Sequence, residues 1–181
     1  GNHMNRKIGK VLAIGFAAAM AFCLPSCGGE SREEAAAGSV SDGLGIDIAG
    51  GEEVSYSDTH GGFLGDGITY AAYRFADSNV REQIEESGEW VPLPMDEVAA
   101  VLAYGVTEHG EGYTINRGPY LTDEEQEPLL PEVENGYYRL IDRQMENGFV
   151  TAAMLERASL NFTLGIYDTD TDTLYYCEMD T

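Results

Sequence analysis

Hydrophobic and polar positions along this chain repeat with two periods, one of strands and one of short helices. Glu53–Thr59 ("EVSYSDT") and Ile68–Ala76 ("ITYAAYRFA") are rich in β-branched and aromatic residues and have glycines between them, which predicts a hairpin with a long loop. "SNVREQIEES" predicts a helix. Val80 and Ile84 form its apolar stripe, Asn79 and Glu82 have capping-box spacing, and Gly88 is the stop. Pro92 and Pro94 keep "EWVPLP" extended. "DEVAAVLAYG" predicts a second short helix, capped by Asp96 and ended by Gly105. Val106–Asn135 is acidic, with Gly and Pro interruptions and one expected strand near Tyr113. "GYYRLIDR" (Gly136–Arg143) reads as a strand and "FVTAAMLERA" as a helix.

The C-terminal stretch carries the sharpest pattern. "NFTLGIYDTDTDTLYYCEM" is two strands around a loop at Thr169–Asp172. With that loop, Ile166 opposes Tyr175, Leu164 opposes Cys177 and Phe162 opposes Met179. Each pair is apolar and all lie on one face, as a register selected by a buried side requires. Cys177 is then a small buried hydrophobe rather than a reactive thiol. Together these patterns predict an α+β fold: a mostly antiparallel sheet of five or six strands with two or three short helices on one face.

The front of the chain follows a different logic. Residues 1–3, "GNH", read as an expression scar before Met4. Arg6, Lys7 and Lys10 precede the apolar run "VLAIGFAAAMAFCL", which ends in "LPSC" at Cys27. A basic stretch, a short apolar run and a small residue at the cut define a secretory signal over 4–26. Fourteen apolar-run residues are too few to span a membrane, which takes about 20. Leu24, Ser26 and Cys27 match a bacterial lipobox, with Cys27 as the acylated first residue of the mature chain. Gly28–Gly45 is small, polar and aperiodic, and is expected to be a flexible tether about 23 Å in mean span. Ile46–Thr181 is then a single globular domain.

Removal of the signal leaves 32 acidic residues against seven arginines, a net charge of −25. Such a surface repels nucleic acid and anionic headgroups, so the only membrane contact expected is through the lipid. Cys177 is the sole cysteine left after Cys23 and Cys27, so no intrachain disulfide can form.

Candidate chemistry concentrates in "DTHGGFLGDG", Asp58–Gly67. Asp58, His60 and Asp66 are residue types that build a His–Asp pair or a ligand cluster. Asp142 and Arg143 of the "IDR" strand would complete an enzyme's set. The competing reading is a hairpin loop in which Asp and His cap backbone groups and glycine supplies positive φ. A phosphate loop fails on spacing, since Gly65 and Gly67 would require glycine where Tyr70 stands. "DTDTD" fails as a calcium loop because Thr173 and Met179 replace the required glycine and glutamate. With only His60 and His109 beyond the scar, a three-histidine zinc site is excluded. No metal or cofactor is expected. Eleven tyrosines would serve a sugar- or peptide-binding sheet face, or pack across strands.

"DTHGGFLGDG", "ENGYYRLIDR" and "NFTLGIYDTDTDTLYYCEMDT" together resemble a family of uncharacterised lipoproteins and secreted proteins of clostridia and related Gram-positive bacteria. The resemblance spans most of Glu53–Thr181. The family pattern places His after "GGF", where this chain has Leu64. The family implies location and domain extent, and it carries no established activity. The resulting expectation is a cell-surface lipoprotein that binds a protein, peptide or glycan without catalysis. The alternative is a hydrolase or metal-dependent enzyme built on Asp58, His60 and Asp66.

The lipid reading makes a direct prediction. Protein made in a bacterium should fractionate with membranes, and Cys27→Ser should release it unprocessed. Mass spectrometry of the mature N-terminus checks the acyl group; a free, unmodified residue there refutes it.

Overall fold

A computed structural model describes residues 28–181. The signal and the acylated Cys27 expected above lie outside the described residues.

The fold is α+β. Its helices are α1 (Arg32–Leu44), α2 (Asn79–Ser87) and α3 (Glu97–Ala103). Its strands are β1 (Glu52–Asp58), β2 (Gly67–Arg74), β3 (Val91–Pro92), β4 (Val106–Gly110), β5 (Tyr113–Arg117), β6 (Gly136–Asp142), β7 (Asn161–Asp168) and β8 (Thr173–Asp180). Six of them form one antiparallel sheet in the order β1-β2-β8-β7-β6-β3, and β4 and β5 form a separate hairpin.

The β7–β8 hairpin has the expected register. Ile166 faces Tyr175, Leu164 faces Cys177 and Phe162 faces Met179 around a loop at 169–172. Cys177, Phe162, Leu164 and Ile166 are fully buried. Burial pushes the Cys177 thiol well above its ordinary range, which suits a packing residue and not a nucleophile.

The sheet is covered on both faces, because alternate side chains of its central strands are apolar in both directions. On one face Ala71, Tyr73, Tyr167, Leu174 and Tyr176 pack against Val40 and Leu44 of α1, Val80 and Ile84 of α2, and Trp90. On the other, Tyr138, Phe162, Leu164, Ile166 and Cys177 meet Ala99, Leu102 and Ala103 of α3 with Leu121, Leu130 and Met154. The helices therefore divide between the faces instead of sharing one. Gly165 permits the closest approach, since a Cβ there would lie 2.7 Å from Trp90 Cη2 and 2.8 Å from Leu44 Cδ2.

Several local expectations need correction. The stretch expected to be a tether contains α1, a helix of 13 residues, so the folded unit begins near Arg32 and not at Ile46. Its start is a capping box: Ser31 Oγ accepts from Glu34 N at 3.2 Å, and Glu34 Oε2 accepts from Ser31 N at 3.4 Å. Gly45 ends it in the left-handed region at φ 65°. The N-cap position of α2 is Ser78 and not Asn79, and no side-chain capping bond forms there: Ser78 Oγ donates to Glu82 Oε1 at 2.7 Å and the Asn79 backbone N–H donates to Asp77 Oδ1 at 3.0 Å. The acidic stretch holds two strands, β4 and β5, where one was expected. "FVTAAMLERA" contributes only a 3₁₀ turn at Ala152–Glu156.

Because Leu44 is fully buried against the sheet, Leu44→Ala should cost about 3 kcal/mol in denaturant unfolding. A chain starting at Ile46 loses both Val40 and Leu44, so it should unfold at lower denaturant still. Unfolding of the Ile46 chain at the same denaturant concentration as the full chain would show that α1 contributes nothing.

Candidate functional site

The sheet is longer than the helices that cover it, and at one end its α1-side face is polar. Strand register places Thr69 beside Asp58 on β1 and Glu178 on β8, and Gly67 beside Asp180. The chain leaves β1 at Asp58, turns through the glycine-rich loop and re-enters the sheet at Gly67. Gly62 and Gly65 take positive φ of 74° and 70° in that loop. Gly67 serves close approach instead, because a Cβ there would lie 2.5 Å from His60 Cα. The tight packing brings His60 back over the end of the sheet.

His60 is held between two carboxylates. Its Nδ1 lies 2.6 Å from Asp58 Oδ1 and its Nε2 lies 2.9 Å from Asp180 Oδ2. Its backbone N–H donates to the same Asp58 oxygen at 3.0 Å. Thr69 Oγ1 donates to Asp58 Oδ1 at 3.3 Å and sits 3.2 Å from His60 Nδ1. Ionised carboxylates only accept, so with Asp58 and Asp180 both charged the two contacts are satisfied together by the doubly protonated ring. Partial burial works against that charge, but the bonds to Asp58 and Asp180 outweigh it and raise the His60 pKa above its ordinary value. Partial burial likewise works against the Asp58 charge, and the bonds from His60 outweigh it, so the Asp58 pKa falls.

The charges continue across the sheet. Asp180 Oδ1 accepts from Arg143 Nη2 at 2.8 Å, so Asp180 is shared between two cations. The same Nη2 donates to Met179 O at 2.9 Å, and Arg143 Nη1 lies 3.6 Å from Glu178 Oε1. Glu178 also accepts from the Tyr176 hydroxyl. Sign alternates along Asp58, His60, Asp180, Arg143 and Glu178, so each charge has an opposite neighbour and, with His60 protonated, the row carries one net negative charge.

The structure brings together Asp58, His60 and Arg143 and leaves out Asp66 and Asp142. Asp66 is exposed and makes no hydrogen bond or ion pair among the described residues. Asp142 points to the opposite face, as the neighbour of Arg143 on a strand must. It is buried there, accepting from Arg157 Nη2 at 2.5 Å and from Gln144 N at 3.1 Å, and it lines a cavity of about 200 Å³ with Met154. The sequence reading missed Asp180, Glu178 and Thr69. Their only signal was the β2–β8 pairing, which no local spacing announces.

Chemically, the doubly protonated ring has both N–H groups committed to carboxylates and in that form offers no lone pair to a metal or a proton. Thr69, the nearest hydroxyl, donates to Asp58 and has no free base beside it. No group of three or more His, Cys, Asp or Glu among the described residues is placed to hold a metal ion. What the arrangement does is pin the loop to the last strand. Beyond the pinned base, Phe63 is fully exposed at 101 % and Leu64 is exposed at 78 %.

No protein-family model, curated protein or solved structure matches the chain, so its functional reading rests on this geometry.

The clamp has a definite pH window. The raised His60 pKa contributes stability that is complete below about 6.5 and is lost as pH climbs through the folded value. The lowered Asp58 pKa contributes stability that is complete above its ordinary value, 3.8, and is lost as pH falls through the folded value. Hydrogen exchange of Gly61–Gly67 should therefore be slowest, relative to intrinsic rates, between these limits and quicken at alkaline pH. His60→Gln should erase the alkaline limb and cost about 1 kcal/mol, a small figure because the site is partly exposed. An unchanged pH profile in that variant would show that His60 does not hold the loop.

Proposed function

We propose that this chain is a binding module, tethered by the lipid expected at Cys27 to the outer face of a bacterial membrane. The observation that carries the reading is the pinned loop, which presents Phe63 and Leu64 to solvent. An apolar side chain of that size on a rigid base is the usual anchor of a recognition surface. A glycine-rich loop without the His60 clamp would have to be ordered on binding, at an entropic cost that the clamp removes in advance.

The competing reading, an enzyme built on Asp58, His60 and Asp66, draws less support. Both nitrogens of its base are committed to carboxylates, and its second carboxylate stands apart. The cavities beside the loop have other linings: one of about 220 Å³ is lined by Ser57, Thr59, Ile68 and Leu129 with an acidic turn.

A thermal-shift screen of the protein against proteins, peptides, glycans and divalent metals separates the two readings. A true ligand at 100-fold its Kd should add about 2.7 kcal/mol of stability. The double variant Phe63→Ser, Leu64→Ser should keep the unliganded Tm, since both side chains are exposed, and should lose the ligand's shift. A metal-dependent shift that survives those substitutions and disappears in His60→Gln would favour the enzyme instead.

A further inference from the structure

Strand β1 is at the rim of the sheet and pairs on one side only, with β2. Thr59 N donates to Ile68 O at 3.0 Å, which sets the alternation: Ser57 and Ser55 bond to β2, while Tyr56 and Asp58 turn their N–H and C=O groups outward. Among the described residues no hydrogen bond closes that outer side. A bulge between Glu53 and Ser55 interrupts the strand's first half and leaves Ser55–Asp58 as an open, regular edge.

The edge is flanked by acidic clefts on both faces of the sheet. Toward α1, Glu33, Glu34 and Glu53 line one of about 200 Å³. On the opposite face, Asp123, Glu124 and Glu125 line one of about 220 Å³ that reaches Ser57 and Thr59. Arg32, the cation beside the α1-side cleft, is spent on Glu53 at 2.5 and 3.2 Å and lies over the Tyr56 ring at 4.0 Å. Successive side chains of an added strand point to opposite faces, so basic residues on such a strand reach both clefts.

We propose that the β1 edge accepts an extended, basic segment of another protein as a seventh strand. The proposal rests on the reading of this chain as a binding module and supplies the class of its partner. Exposed edges are commonly guarded by charge against unwanted pairing. Here the excess charge has one sign, because the carboxylates around the edge outnumber its cations. Glu33 and Glu34 on one side and Asp123, Glu124 and Glu125 on the other, on a chain at −25 beyond Cys27, set like charge against like when a second copy approaches. They leave a basic segment unopposed, which is how a repulsive element selects a partner. Backbone pairing supplies the docking geometry, and the clefts supply the preference.

The test uses a labelled ten-residue peptide in which pairs of lysines alternate with pairs of valines, so that both faces of the added strand carry lysine; it is titrated by fluorescence anisotropy, with amide shifts of the protein followed by NMR. Saturable binding is expected, with the largest shifts at Val54–Asp58. Affinity should fall at least tenfold in the Glu124→Lys, Glu125→Lys double variant, whose side chains are exposed and leave the fold intact. It should fall at least tenfold again when alternate peptide amides are N-methylated, because pairing is then blocked at unchanged charge. Equal binding of the methylated peptide, equal binding of a glutamate–valine peptide, shifts centred elsewhere, or dimerisation through β1 would each overturn the proposal. A peptide that fails to bind while a screened ligand still depends on Phe63 and Leu64 would overturn this inference alone.

Discussion

Burial of a single strand on both faces is the constraint from which most of this fold follows. Phe162–Tyr167 of β7 are all buried, and the strand runs between β6 and β8, so its side chains need cover in both directions. Neither face can be left wet without exposing Phe162, Leu164 and Ile166 on one side or Tyr167 on the other. The chain therefore recruits whatever apolar stripes it has. Helices α1 and α2 supply one lid, and α3 with Leu121, Leu130 and Met154 supplies the other. Gly165 lowers the sheet surface enough for Trp90 and Leu44 to meet over it. Cys177 is the only cysteine among the described residues, so no disulfide joins them to one another and the two-sided packing holds them together.

The polar end of the sheet solves a related problem. Where the helices run out, the face cannot be apolar, and at a net charge of −25 beyond Cys27 it cannot simply be acidic either. Interleaving His60 and Arg143 with Asp58, Asp180 and Glu178 keeps the sum near zero and gives each charge an opposite neighbour. The same arrangement that fastens the loop also takes up the histidine's chemistry.

The C-terminal hairpin was legible in the sequence because its information is local. A four-residue loop and a period of two leave one register that puts Phe162, Leu164 and Ile166 on the same side. Helix α1 had signals as well: Ser31 and Glu34 at capping-box spacing, Ala37, Val40 and Leu44 on one stripe, and Gly45 beyond the end. Gly38 and Gly43 dilute that stripe, and with two large apolar residues in the helix the segment reads as polar spacer. The separation of Asp142 from Arg143 follows from strand alternation and needed no coordinates. The role of Asp180 did need them, because β2 and β8 are joined by pairing across more than half the domain. Of the site, the sequence alone therefore showed the loop and its histidine but neither the far carboxylate nor the arginine's place in the row.

Cys177 lies on an interior strand with its sulfur shielded from solvent and its proton held by burial. A thiol in that position is silent toward alkylating reagents until the sheet parts. Among the described residues it is the only cysteine, so the rate at which it takes up label is a clock for whole-domain opening. The loop over His60 can loosen on its own schedule without starting that clock. Local release and global unfolding thus leave separate chemical records in one molecule.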